Sequence, residues 1–217
     1  MKFKLAIFDM DGTILNTLED MTDSCNYILQ KYNYPTHELN EIKFMVGNGI
    51  PKLIERALPQ GTDKETFDKV LTDFIEYYGK HCADKTRPYD GIIDCIKTLK
   101  KNGIKIAVNT NKVESAAIDL CNDYFPELFD VISGSRPGMP PKPDPAGIYE
   151  ILKRAGVDGS EACFIGDSDV DVACGLNAKL DVIGVDWGFR GEAFLHEHGA
   201  DTVVKTPKEL ADLILSK

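Results

Sequence analysis

The feature that most constrains this chain is a recurrence: short apolar runs stop abruptly at polar residues, and longer helical patterns lie between them. The runs occupy residues 4–8, 104–108, 131–132, 163–165 and 182–185, and the first ends at Asp9. Runs so short and so rich in Val, Ile and Phe suit strands buried on both faces. Residues 92–101, 116–121, 146–155 and 170–176 carry helical patterns between the runs. Strand alternating with helix predicts an α/β fold, a parallel sheet with helices on both faces joined by right-handed crossovers.

One stretch breaks the alternation. Residues 15–84 read almost entirely as amphipathic helix, punctuated by Pro35, Pro51, Pro59 and Gly61. They are expected to form an inserted helical subdomain, leaving 1–14 and 85–217 as the α/β core. Phe67, Val70, Leu71, Phe74, Ile75 and Tyr78 fall at helical spacing and are expected to pack as a small bundle. At 217 residues the chain can bury such cores without a disulfide or structural metal.

Polar residues at the ends of the apolar runs carry the candidate chemistry, because ligands of open parallel sheets bind at the carboxyl ends of the strands. Phe8-Asp9-Met10-Asp11-Gly12-Thr13 ends the first run with two carboxylates that repel each other and need a cation or a shared proton. Asn109-Thr110-Asn111-Lys112 ends the second with a hydroxyl, an amide and backbone donors suited to phosphate oxygens, although a Thr-Asn pair there also reads as a helix cap. Lys142 lies among five prolines in residues 136–145, a stiff loop that lowers the entropy lost when a long side chain binds. Gly166-Asp167-Ser168-Asp169-Val170-Asp171 follows the fourth run. Asp167 is the better placed metal ligand, Asp169 reads as a helix-dipole acid, and Asp171 is a supporting group for Asp167 or Lys142.

Lys and Arg total 25 against 35 Asp and Glu, a formal net charge of -10. That field repels nucleic acid and anionic membrane surfaces, so neither is an expected partner, and an anionic substrate must be drawn by a metal ion or a few placed cations. The six cysteines are scattered with no CxxC pair, which argues against a zinc site or disulfide framework. No secretory pattern and no long apolar span is evident, and a cytoplasmic location is expected.

The four signals together resemble the haloacid dehalogenase superfamily, whose motifs correspond to the DMDGT stretch, Thr110, Lys142 and the GDSDVD stretch. The helical insertion resembles that family's movable cap on a Rossmann-like core, and Val46-Gly47-Asn48-Gly49-Ile50 with Ile54-Glu55-Arg56-Ala57-Leu58 resembles the phosphoglycolate phosphatase branch. The resemblance implies a Mg2+-dependent phosphatase acting on a small phosphate monoester, 2-phosphoglycolate foremost. Asp9 is then the nucleophile that becomes an aspartyl phosphate, and Asp11 the acid and base. Thr110, Asn111 and Lys142 hold the phosphoryl oxygens, while Asp9, the main-chain carbonyl of Asp11, and Asp167 hold the metal. In the cap, Gly47, Asn48, Gly49, Lys52 and Arg56 are the candidate substrate contacts.

Within the superfamily a β-phosphoglucomutase-like transfer, a pyrophosphatase and a phosphonate hydrolase using Lys52 are the alternatives. A dehalogenase is disfavoured, because it has no leaving alcohol for Asp11 to protonate. Outside enzymes, a module that binds a phosphate ligand without turnover remains open. A calcium loop is disfavoured, since aligning Gly12 places Ile7 at the first ligand.

Overall fold

The computed structural model describes residues 2–217. The chain begins with β1 (Leu5–Phe8) and β2 (Leu15–Asn16), followed by α1 (Leu18–Lys31), α2 (Leu39–Met45), α3 (Ile50–Ala57) and α4 (Lys64–His81). It continues through β3 (Arg87–Pro88), α5 (Ile92–Lys101), β4 (Lys105–Val113), α6 (Glu114–Tyr124), β5 (Val131–Ser135) and α7 (Ala146–Ala155). Then come β6 (Ala162–Gly166), α8 (Asp169–Asn177), β7 (Asp181–Val185), α9 (Glu192–Glu197), β8 (Thr202–Val204) and α10 (Pro207–Ser216). Two compact units result, one of Met1–Leu15 with Pro88–Lys217 and one of Asn16–Arg87. The crossings fall one and three residues beyond the positions expected from the break in the strand–helix alternation, at β2 and β3, which pair as a two-stranded ribbon.

In the α/β unit six strands form a sheet in the order β5-β4-β1-β6-β7-β8, and every pairing is parallel. The chain steps from β1 outward through β4 to β5, then returns to the other side of β1 and steps outward through β6, β7 and β8. The direction of winding therefore reverses around β1, and the carboxyl end of β1 is the topological switch point. Alternate residues feed opposite faces, as strand geometry requires. Ala6, Phe8, Ile106, Val108, Cys163 and Ile165 pack in one core with Ile92, Ile96, Leu99, Leu120 and Leu210. Leu5, Ile7, Ala107 and Phe164 pack in the other with Ile148, Ile151 and Cys174. All six cysteines are free thiols.

Two features of the sheet depart from expectation. β8 was not foreseen, because its three residues lie between charged Asp201 and Lys205 with too few apolar positions to register as a run. β4 continues to Val113, five residues past the apolar run, with its register to β5 shifting between Asn109 and Val113. The polar burst is thus strand, not helix cap: α6 starts at Glu114 and its first turn takes no side-chain cap.

In the helical unit α4 opens on Asp63, whose carboxylate accepts the Thr66 N–H at 2.9 Å. Val70, Phe74 and Tyr78 are buried at a four-residue spacing, while Phe67 and Leu71 are half-buried. Ile75 is 46% exposed, so the expected six-residue stripe narrows to a seam. The unit's two ends are tied by buried Asp20, which accepts the N–H groups of Lys85 (2.9 Å) and Thr86 (2.8 Å). Among the described residues no helix is long and apolar enough to cross a membrane.

Candidate active site

Asp9 is the first residue beyond β1, and its N–H donates to the Ile165 carbonyl at 2.8 Å, which holds it in line with the sheet. Its side chain is buried between the ends of β4 and β6. Oδ1 accepts from Lys142 Nζ at 2.6 Å, and among the described residues Oδ2 accepts no hydrogen bond. The same ammonium donates to Asp171 Oδ1 at 2.6 Å. Lys142 reaches this place because its loop is anchored twice. Asn111 on β4 accepts the Lys142 N–H at 2.8 Å and donates to its carbonyl at 3.3 Å. Arg136, at the start of the loop, pairs with Glu114 and Glu150. The side-chain amide expected on the phosphate thus grips the main chain of the lysine.

Asp167 follows β6. Its Oδ1 accepts from the Thr13 hydroxyl at 2.9 Å and its Oδ2 from the Phe189 N–H at 2.8 Å. Gly12 has φ +92°, and a Cβ there would meet Asp167 Oδ2 at 2.3 Å. A Cβ on Gly188 would lie 2.2 Å from Asp167 Cβ and 2.6 Å from the Gly12 carbonyl oxygen. Between these neighbours Trp187 Nε1 donates to the Thr13 carbonyl at 3.0 Å. The turn after β7 therefore walls the site, a role not foreseen although Asp186-Trp187-Gly188 ends an apolar run just as Asp9 does. Asp171 caps α8 reciprocally with Ser168: Oδ2 accepts the Ser168 N–H (3.1 Å) and hydroxyl (2.6 Å). With Oδ1 on Lys142, both of its oxygens are occupied.

Asp9, Asp167 and Asp171 each present a carboxylate oxygen within 4.8 Å of the others. Three buried carboxylates face one buried ammonium, and the imbalance is visible in their acidity. Burial, then the nearby Asp171, push the Asp9 carboxyl well above the usual range despite Lys142. Burial and Asp171 likewise push Asp167 up to about 7, against the hydrogen bonds from Phe189 and Thr13. For Lys142 burial works against the charge, but Asp171 and Asp9 more than offset it, so the ammonium is held protonated. A hard divalent cation between Asp9 and Asp167 relieves the excess negative charge, and an all-oxygen donor set suits such an ion. Asp171, already saturated by hydrogen bonds, fits the role of holding Lys142.

The model of the haloacid dehalogenase-like hydrolase family matches residues 6–185, a span that includes Asp9, Lys142, Asp167 and Asp171. The chain belongs to the haloacid dehalogenase-like hydrolases. A phosphoglycolate phosphatase of Haemophilus influenzae is 30% identical to this hydrolase over 98% of the chain and 99% of the relative. One of Pseudomonas syringae pv. tomato is 30% identical over 96% of the chain and 76% of the relative. The solved structure of a candidate phosphoglycolate phosphatase from Lactobacillus delbrueckii subsp. bulgaricus superposes with a TM-score of 0.96, at 35% identity and 100% coverage of both chains.

The remaining candidate residues of this hydrolase fall into two groups. Thr110 is buried on β4, and its Oγ1 accepts the Lys112 N–H at 3.1 Å. Asp11 Oδ1 accepts from Lys112 Nζ at 3.0 Å, with the ammonium-bearing side chain 3% exposed. In the helical unit Gly47 and Gly49 both take positive φ, flanking Asn48. Arg56 donates to the Met45 carbonyl at 2.7 Å and to Asn48 Oδ1 at 2.8 Å, so it braces that turn from both sides. Lys52 is exposed and pairs with Glu55 at 2.6 Å.

Proposed function

We propose that this chain is a Mg2+-dependent phosphatase that hydrolyses a small phosphate monoester, 2-phosphoglycolate foremost, through an aspartyl phosphate on Asp9. The observation that carries the reading is the state of Asp9: a buried carboxylate at the switch point, with one oxygen held by Lys142 and the other, among the described residues, accepting no hydrogen bond. An oxygen so placed can attack phosphorus while the lysine steadies the first.

In this mechanism Asp9 Oδ2 forms the new P–O bond as the bond from phosphorus to the leaving oxygen breaks. Asp11 gives its proton to that oxygen, releasing the alcohol. Water then attacks the phosphorus of the aspartyl phosphate, Asp11 takes its proton, and phosphate leaves with the Asp9 carboxylate restored. Thr110 and Lys142 hold the equatorial oxygens, and Asn111 contributes by fixing the Lys142 main chain. Asp9, the main-chain carbonyl of Asp11, and Asp167 would hold the metal, which when bound neutralises phosphate charge and keeps Asp9 ionised. The helical unit serves as the cap, with the 47–49 turn, braced by Arg56, and Lys52 as its contribution to leaving-group recognition. A cytoplasmic setting belongs to the same reading.

The test is phosphate release from a panel of phosphoesters and pyrophosphate, with magnesium and with chelator, by wild type and Asp9→Asn. Magnesium-dependent release that the substitution abolishes is expected. Substantial turnover by pure Asp9→Asn protein would remove Asp9 as nucleophile, and transfer of phosphate to a second hydroxyl in place of water would make the enzyme a mutase.

A further inference from the structure

Of the 25 Lys and Arg residues, the buried ones among those described are two, Lys112 and Lys142. Long charged side chains are seldom fully buried without a task. The two are distributed with a pattern: Lys142 lies on Asp9 at 2.6 Å, and Lys112 lies on Asp11 at 3.0 Å. The task of Lys142 is accounted for by the nucleophile and the phosphoryl group. Lys112 has no such assigned task, and a lysine is an odd companion for the group proposed to hand a proton to the leaving oxygen.

Its placement suggests the answer. Lys112 follows Thr110 by two residues in β4, where the register to β5 shifts, and its N–H donates to the Thr110 hydroxyl oxygen at 3.1 Å, so the two residues lie side by side at the strand end. If Thr110 touches the phosphoryl oxygens and Asp11 the ester oxygen, the ammonium of Lys112 stands beside the leaving alcohol, a few bonds beyond the phosphorus. The chain as a whole repels anions, so a second negative charge on the substrate needs a local cation there. The group that Lys112 holds is itself a carboxylate.

We propose that Lys112 is a specificity-determining residue that binds a carboxylate on the leaving alcohol, exchanging Asp11 for the substrate's own acid group. The inference rests on the phosphatase reading and narrows it to phosphate esters of short hydroxy acids. Exchange of one carboxylate for another leaves the buried ammonium paired throughout, and it frees Asp11 for the ester oxygen only when the correct substrate is bound. Esters of neutral alcohols lack the replacement ion and leave Asp11 engaged.

The experiment compares 2-phosphoglycolate with 2-hydroxyethyl phosphate, which carries a neutral hydroxymethyl group in place of the carboxylate. Wild type is expected to favour the former in kcat/KM. Lys112→Met is expected to cut that preference by about 10- to 100-fold, the worth of a charge-assisted contact. Lys112→Arg should retain most of the preference, and thermal melts identify a variant that does not fold. Should both variants fail to fold, inhibition of wild type decides: glycolate should compete with 2-hydroxyethyl phosphate, and ethylene glycol at equal concentration should not. Equal losses on both esters in Lys112→Met, no preference in wild type, or no competition by glycolate would each overturn the assignment while leaving the phosphatase reading standing. Absence of phosphate release from every ester would instead sink that reading, and this inference with it.

Discussion

The α/β unit and the helical unit spend the same residue types in opposite ways. In the former, Lys142 is buried on Asp9 and Asp171, Lys112 is buried on Asp11, and buried Asp167 is held by Thr13, mostly across long sequence separations. In the latter many ion pairs lie one helical turn apart, as in Lys52–Glu55, Lys64–Asp68 and Lys69–Glu65, and the pairs that link distant residues, such as Lys85–Asp23, are exposed as well. Exposed pairs are screened and contribute little, whereas a buried charge that loses its partner is costly. The contrast marks where charge performs chemistry and where it keeps a surface wet.

The sharpest way to break the contrast is Lys142→Met. It strips two buried carboxylates of their shared cation and removes the proposed phosphoryl contact, so activity should fall by at least the ~100-fold typical of one lost electrostatic donor. Phosphate release and a thermal melt check this, and near-normal turnover would contradict the assignment.

Next in size is the coupling of metal, pH and stability. Because Asp167 is raised from its ordinary value to about 7, its contribution to the metal-free fold is present in full below the unfolded pKa near 3.8 and is lost as pH rises through about 7. Asp9, also raised, acts in the same direction. Magnesium should therefore raise the melting temperature more at pH 8 than at pH 5, as scanning calorimetry with and without chelator would show.

A smaller effect is expected from Gly188→Ala, whose methyl would press on Asp167 and the Gly12 carbonyl. Overpacking of this kind costs about 1–3 kcal/mol, and the displaced Asp167 should weaken magnesium binding, read from the fluorescence of Trp187 beside it. At the other extreme Lys69→Met, in an exposed pair with Glu65, should leave both the melting temperature and activity unchanged within error. A clear loss there would mean that the helical surface does more than the contrast allows.

Much of this site was legible because strand ends in a parallel sheet are few and each announces itself where an apolar run meets a polar residue. Asp9, Lys142, Asp167 and Asp171 converge because β1, β5 and β6 deliver them to one crevice. What escaped has physical reasons. The extension of β4 is polar, so no periodicity distinguished it from a helix cap, and the burial of Lys112 within that extension depends on Asp11, 101 residues away. The turn at 187–189 acts through an indole N–H, a main-chain N–H and a missing Cβ, none of which registers as a charged motif. In the helical unit, spacing indicated a seam on α4, but it could not tell that Ile75 lies off it.

The bond network of Asp20 has a further consequence. By gripping Lys85 and Thr86, it brings the end of a long excursion back to its own beginning before the sheet requires it. Closing a loop costs entropy that grows only logarithmically with length, and here the closure is performed inside the excursion itself. From the viewpoint of β1 and α5, the segment from Asn16 to Arg87 is a cassette with clasped ends. A piece so fastened can be lengthened, trimmed or exchanged by evolution or by grafting, while the strand ends that hold the reactive aspartate keep their register.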